Sequence, residues 1–104
     1  MATLRLVERV EAGRLLGSRF SALPMRDRIE QLLQQSDTVT IDFAKSNPTQ
    51  SFVDELIGAM IMDHGAPILG RLVFANCSED AKAILHFVIS DRLDDLKRRL
   101  RDAN

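Results

Sequence analysis

The feature that most constrains the fold is a short segment of alternating apolar residues, set between two segments with helical spacing. Val39, Ile41 and Phe43 occupy every second position, a period typical of a β-strand. In residues 21–35 and 51–63 the apolar residues recur every three or four positions, as they do on one face of an α-helix. A strand between two helices predicts an α/β domain.

Weaker patterns complete the predicted order of elements. We predict a half-buried strand at residues 3–10, a turn at 11–13 and a returning hairpin strand at 14–16. A buried strand is predicted after Pro67, at residues 68–75. A last amphipathic helix begins after Ser78, and whether Ser90 and Asp91 divide it stays open. We therefore expect a mainly parallel mixed sheet of about four strands with helices packed on it.

Residue types at the helix ends predict where the first two helices begin and end. Ser21 is a plausible N-cap of the first helix, with Ser18 as the alternative, and this places Pro24 in the first turn. Ser36 and Asp37 end that helix. The second helix stops at residues 64–65, His-Gly, since glycine tolerates the left-handed conformation beyond a helix end.

Composition limits the class of protein. The 104 residues suffice for one domain, residues 1–104, and 45% are hydrophobic. Net charge is −1, and residues 36–91 carry three basic against eight acidic residues, which excludes a globally basic nucleic-acid-binding protein. A single cysteine excludes a disulfide framework. No apolar run approaches the ~20 residues of a membrane span, and the charged N-terminus is unlike a signal peptide. A cytoplasmic location is expected.

Two segments around the central strand resemble a known family. Residues 40–43, Thr-Ile-Asp-Phe, end the strand, and residues 50–56, Gln-Ser-Phe-Val-Asp-Glu-Leu, open the next helix. A strand ending in Asp-Phe, then Ser-Phe-x-Asp-Glu at a helix start, resembles the STAS-like family of unknown function, which is related to the STAS domain of anti-sigma-factor antagonists. The resemblance runs over residues 14–92 and includes residues 17–20 and 73–78. It implies a small STAS-like α/β fold.

The resemblance also implies a regulatory role without catalysis. In the antagonists, a partner kinase of the histidine-kinase-like ATPase type phosphorylates a serine in an Asp-Ser-Ser-Gly turn, and Ser51 is the matching position here. The chain departs from that pattern, because Gln50 replaces the acid and Phe52 and Val53 replace the Ser-Gly pair. Asp54 adds a negative charge that would repel a phosphate.

Ser51 has a structural interpretation as well. Its hydroxyl would accept a hydrogen bond from the N–H of Val53 or Asp54, while the Asp54 carboxylate reaches back in an arrangement like a capping box. We predict that Ser51 acts first as the N-cap of the second helix. Regulated phosphorylation of Ser51 is the alternative.

The partner surface implied by the resemblance is the loop before the second helix together with the start of that helix. Loops after strand ends are held by a rigid sheet and often carry recognition residues. The partner is expected to be a histidine-kinase-like ATPase or a switch protein of a bacterial or phage-encoded pathway; a homodimer stays open. The predicted partner-binding residues, with Ser51 as candidate phosphosite, are Asp42, Ser46, Asn47, Thr49, Gln50, Ser51, Asp54 and Glu55.

No catalytic, metal or cofactor site is predicted. Asp54 and Glu55 are adjacent in a helix, so they point about 100° apart and do not converge as an acid/base pair. The spacing of Cys77 relative to His64 and His86 does not bring a thiol to a base. The sequence also lacks the spacing of a zinc site and any glycine-rich phosphate loop. We expect a protein that is not an enzyme.

The end of the chain, residues 93–104, is predicted to be a basic helix end. Cations there stabilise the helix C-terminus. The rival interpretation is weak electrostatic contact with nucleic acid, aided by Arg26 and Arg28, and the net charge of −1 makes this the less favoured one. The residues in question are Lys97, Arg98, Arg99 and Arg101.

Overall fold

The structure, a computed structural model, describes residues 2–5 and 19–102. Three parallel strands form one sheet in the order β1-β2-β3: β1 (Ala2–Arg5), β2 (Val39–Asp42) and β3 (Leu72–Ala75). The α/β class and the parallel pairing are thereby confirmed. A fourth strand is not found within the described part of the chain. The remainder of the first predicted strand, the turn and the hairpin strand, at residues 6–16, fall outside it.

Three helices pack on the sheet. They are α1 (Arg19–Gln35), α2, which runs over residues 50–64, and α3 (Glu79–Asp102). α2 lies between the other two, since it contacts both α1 and α3. α3 continues through Ser90 and Asp91 without a break.

The core lies between these helices and one face of the sheet. Val39, Ile41 and Leu72 project into the core, whereas Val73 projects from the opposite face and is exposed. α2 contributes most, because both of its predicted apolar rows are fully buried. The rows are Phe52, Leu56 and Met60, and Val53, Ile57 and Ile61.

α2 is not a uniform α-helix. It begins as Gln50–Val53, passes through a π-helical turn at Asp54–Gly58, and ends as Ala59–His64. Within the π turn, the amide of Ala59 donates to the carbonyl of Asp54, five residues earlier. The helix stops at Gly65, as predicted, and the φ of Gly65 is positive, at 86°. Its ψ of 174° differs from that of the left-handed helical conformation, and this extended form with positive φ is one that glycine adopts readily.

The strand predicted at residues 68–75 is only half correct. Ala66–Arg71 is a 3-10 helix, and the strand proper is Leu72–Ala75. Pro67 fixes a helical φ in the first turn, and the amide of Ile68 donates to the carbonyl of Gly65 at 3.2 Å. An apolar run without a period is compatible with either conformation.

The prediction that Ser21 caps α1 is wrong. Arg19 is already helical, so Ser21 is not the N-cap and Pro24 lies beyond the first turn. The alternative cap, Ser18, lies outside the described residues. Starting earlier adds a turn in front of Ala22, which is fully buried. The predicted end at Ser36 is confirmed.

Arg71 closes the C-terminus of α1. Its Nη2 donates to the carbonyls of Leu33 at 2.6 Å and Ser36 at 3.0 Å, and its Nε donates to the carbonyl of Asp37 at 2.9 Å. A helix end leaves carbonyls without intrahelical partners. One guanidinium from the 3-10 helix binds the carbonyl of Leu33 in the last turn and the carbonyls of the two residues that follow α1, and so ties that segment to α1.

Candidate functional site

The loops at the carboxyl edge of the sheet are joined by one aspartate. Asp42 is the last residue of β2, as predicted, and its Oδ1 accepts from the amide of Ala44 at 2.8 Å and from Nδ2 of Asn76 at 3.1 Å. Asn76 and Lys45 both have left-handed backbones, with φ of 56° and 57°. Asp42 is buried. It therefore fixes the turn after β2 against the turn after β3.

Ser46 supports the same loop from inside. It is 5% exposed, and its hydroxyl donates to the carbonyl of Phe43 at 2.8 Å. Asn47, the next residue, is exposed. Of the predicted contact residues in this loop, Asn47 thus presents its side chain to solvent, while Asp42 and Ser46 hold the backbone behind it.

The N-cap of α2 is Thr49, so the prediction of Ser51 in that role is wrong. Thr49 is extended (φ −89°, ψ 166°), and its Oγ1 accepts from the amide of Phe52 at 3.2 Å. Ser51 is the second residue of the helix and is exposed. Because the chain becomes helical at Gln50, only the extended residue before it can turn its side-chain oxygen toward the free amides.

Asp54 does not reach back to cap the helix either; it pairs with α3. Its carboxylate accepts two hydrogen bonds from Arg92, Nε to Oδ1 at 2.7 Å and Nη2 to Oδ2 at 2.6 Å. Arg92 also meets Asp95 at 3.3 Å. The hydrogen bond to Asp54 raises the pKa of Arg92 above its ordinary value. This two-pronged contact holds α2 and α3 in one register.

A glycine makes that contact possible. A Cβ on Gly58 would lie 2.5 Å from Oδ1 of Asp54 and 3.2 Å from Cγ and Nε of Arg92. Gly58 and Asp54 belong to the π turn, and Arg92 packs on it. π turns occur frequently at functional sites. Here the turn places the Asp54 carboxylate on the same face of α2 as Gly58, whose lack of a side chain leaves room for it.

Glu55 points the other way. It approaches α1, where Nη1 of Arg26 donates to its carbonyl at 3.1 Å and lies 3.8 Å from its Oε1. The expected divergence of Asp54 and Glu55 is confirmed by their separate partners on α3 and α1.

A groove opens between the start of α2 and the middle of α3. Its volume is about 170 Å³. Phe87 stands at its rim with 47% of its surface exposed. The lining residues are Gln50, Ser51, Asp54, Phe87, Val88, Asp91 and Arg92. The groove joins three of the predicted contact residues, Gln50, Ser51 and Asp54, to an aromatic ring of α3 and to Arg92 of α3, which pairs with Asp54.

A second concavity, of about 580 Å³, lies at the carboxyl edge of the sheet and includes Lys45, Asn47, Asn76 and Cys77. Burial raises the pKa of the Cys77 thiol; the charge of Lys82 acts against this shift, and that of Asp42 adds to it. At neutral pH this thiol is therefore protonated and weakly nucleophilic.

The histidines do not activate that thiol. Nε2 of His64 forms its contact with Glu30 on α1, and His86 is exposed on α3. In the ranges 2–5 and 19–102, no group of three His, Cys, Asp or Glu side chains is arranged to hold a metal ion. Nor does any helix there combine the length and apolarity needed to cross a bilayer.

The basic residues near the end of α3 are all exposed: Lys97, Arg98, Arg99 and Arg101. Arg98 pairs with Asp95, and that hydrogen bond lowers the pKa of Asp95. The other three have no ion pair with any described residue. They lie apart from the groove, which α3 lines at residues 87–92.

Comparison with known proteins identifies the fold family. No curated protein and no solved structure matches the chain. A family model, described as a STAS-like domain of unknown function, matches residues 21–82. The match covers α1 from residue 21 onward, β2, α2, β3 and the first residues of α3, and it ends before the α3 side of the groove. The chain therefore belongs to the family of STAS-like domains of unknown function.

Proposed function

We propose that this domain is a non-catalytic regulatory module that binds a protein partner at the groove between α2 and α3. The observation that carries the proposal is the exposed ring of Phe87 beside the helix start that the resemblance marks as the contact surface. Aromatic residues are enriched in the energetically dominant parts of protein interfaces. An aromatic rim next to exposed polar groups at Gln50 and Ser51 fits such an interface.

Hydrogen bonds fix the parts of the groove relative to one another, which favours binding. The Asp54–Arg92 pair fixes its floor, and Thr49 fixes the helix start. Behind it, Asp42 holds the preceding loop by a half-buried hydrogen bond and Ser46 holds it by a buried one. Preorganised groups lose little conformational entropy on association. In this proposal Asp42 and Ser46 position the loop, and Asn47, Gln50 and Ser51 make contact.

The partner class follows from the resemblance: a histidine-kinase-like ATPase or a switch protein of a bacterial or phage-encoded pathway, in the cytoplasm. Ser51 is exposed and lies at a helix N-terminus, where an added phosphate is stabilised by the helix dipole. The Asp54 carboxylate is already paired with Arg92, which reduces the repulsion that the sequence predicts. Phosphorylation of Ser51 would add about −1.5 to −2 charges to the groove and should release the partner.

The proposal is tested by affinity capture from the source cell, using wild type, Phe87→Ala and His86→Ala. His86 is the matched control, since it is exposed on the same helix and does not line the groove. A partner should be retained by wild type and His86→Ala and lost with Phe87→Ala. The proposal fails if folded Phe87→Ala retains every protein that wild type retains. Intact-mass measurement with and without phosphatase tests Ser51 separately.

A further inference from the structure

The end of α3 carries an apolar stripe that leaves the body of the domain. Leu93, Leu96 and Leu100 are spaced three and four residues apart, so they lie on one face of the helix. Leu93 and Leu96 pack partly against the core, whereas Leu100 is 70% exposed. The stripe therefore continues past the point where the domain can cover it.

Cations flank this stripe on both sides. At about 100° per residue, Lys97 follows one edge of the stripe and Arg99 the other, with Arg101 just outside. All three are exposed, and none forms an ion pair with a residue that the structure describes. Arg98 points away from the stripe, toward Asp95. The exposed stripe thus has a basic border whose cations form no ion pair with the acidic residues that the structure describes.

The charges beside the stripe determine which kind of partner can bind this face of α3. A second copy of α3, packed in either direction, would bring Lys97 and Arg99 against the same cations of its neighbour, which opposes self-association. A nucleic acid would use the cations and leave Leu100 without an apolar contact. An acidic amphipathic helix satisfies both features, since its leucines cover the stripe and its glutamates meet the border.

We propose that the last two turns of α3 bind an acidic amphipathic helix, with Leu100 as the apolar contact and Lys97 and Arg99 as the charged border. This surface lies outside residues 21–82, which the family model matches, and away from the groove. The domain would then have two binding surfaces, one at each half of α3.

The experiment measures binding of a fluorescent synthetic helix with leucine at heptad positions a and d and glutamate at e and g. A control peptide has serine in place of the leucines. At low salt, about 50 mM, we expect a Kd in the micromolar range for the first peptide only. Leu100→Ser and the double variant Lys97→Glu/Arg99→Glu should each weaken binding about tenfold. Phe87→Ser and Lys82→Glu are the matched controls and should bind normally.

Three results would overturn the proposal. Equal binding of the serine peptide, or of duplex DNA, with no effect of Leu100→Ser, would show that the cations act alone on polyanions. Failure of the leucine–glutamate peptide to bind would show that the stripe docks no acidic helix. A wild-type dimer that Leu100→Ser dissociates in analytical ultracentrifugation would show that the stripe pairs with itself. Because Phe87→Ser tests the groove and Leu100→Ser tests the stripe, either surface can fail without the other.

Discussion

Replacing Gly58 by alanine tests how the groove is built. Gly58 has ordinary right-handed helical angles, φ −59° and ψ −44°, so alanine requires no change of backbone. The new methyl group would nevertheless lie 2.5 Å from Oδ1 of Asp54. That oxygen cannot simply move aside, because Arg92 holds both oxygens of the carboxylate. Either the ion pair or the helix backbone must yield.

The expected free energy has two opposing parts. Alanine is favoured over glycine in a helix interior by about 1 kcal/mol. Displacing Oδ1 of Asp54 forfeits its charged hydrogen bond from Nε of Arg92, and one such bond contributes about 1.5–3 kcal/mol. The second term is larger, so Gly58→Ala should destabilise the domain by about 0.5–2 kcal/mol, the remainder of these two estimates.

The assay is urea unfolding of four proteins: wild type, Gly58→Ala, Asp54→Ala/Arg92→Ala, and the triple variant. Without the carboxylate and the guanidinium there is nothing left for the methyl group to displace. In that background Gly58→Ala should stabilise by up to about 1 kcal/mol. The change of sign separates the steric conflict from helix propensity, as a mutant cycle is designed to do.

The reasoning is refuted if Gly58→Ala changes the free energy of unfolding by the same amount and in the same direction in wild type and in the Asp54→Ala/Arg92→Ala variant. Gly70→Ala is the matched control, since a Cβ at Gly70 meets no atom within 4 Å. Its effect should be equal in both backgrounds. A background-dependent effect of Gly70→Ala would mean that the double variant has altered the fold, and the comparison would then be repeated with Asp54→Asn.

Three further predictions follow from local contacts. Thr49→Ala should lower the free energy of unfolding in urea by about 0.5–2 kcal/mol, and Ser51→Ala should lower it by less than about 0.5 kcal/mol. A larger loss for Ser51→Ala than for Thr49→Ala would restore Ser51 as the cap. Arg71→Lys should lower stability by about 1–2 kcal/mol, because an ammonium cannot reach three carbonyls at once; an unchanged Tm would contradict this. In an NMR titration, Arg98→Ala should raise the pKa of Asp95 toward its ordinary value. Because the folded-state pKa is the lowered one, the contact stabilises the fold above the unfolded-state pKa and loses its effect as pH falls through the folded value.

Sequence patterns succeeded where the structural cause is local. β2 and the two buried rows of α2 follow from a period of two and a period near 3.6, which depend only on neighbouring residues. The end of α2 at Gly65 follows from the conformational freedom of one residue. The 3-10 helix before β3 was missed because its apolar residues have no period, and burial of Ile68 is satisfied by either conformation.

The candidate site could be predicted only in part. The position of Asp42 at the end of β2 was correct because a strand pattern fixes its own end. The cap was misplaced by two residues, since Thr49 and Ser51 are both good capping residues and the choice depends on where the backbone turns helical. Arg92 and Phe87 were not predicted, because the contact between Asp54 and Arg92 spans 38 residues. One signal was available: Phe87 falls outside the apolar stripe of α3, which marks an exposed aromatic ring.

The π turn of α2 bears on how the length of this chain can change. In an α-helix, one residue more or less turns every later side chain by about 100°, so a buried helix ordinarily rejects such a change. A π turn uses five residues, Asp54–Gly58, where four would complete an α-helical turn. Deleting one of them returns the segment to α-helix and leaves Phe52 before it and Met60 after it facing the core. α2 thus contains a place where one residue can be lost while the segments before and after it keep facing the core. The cost falls within the turn itself, on the packing of the buried Leu56 and Ile57 and on the contact between Asp54 and Arg92.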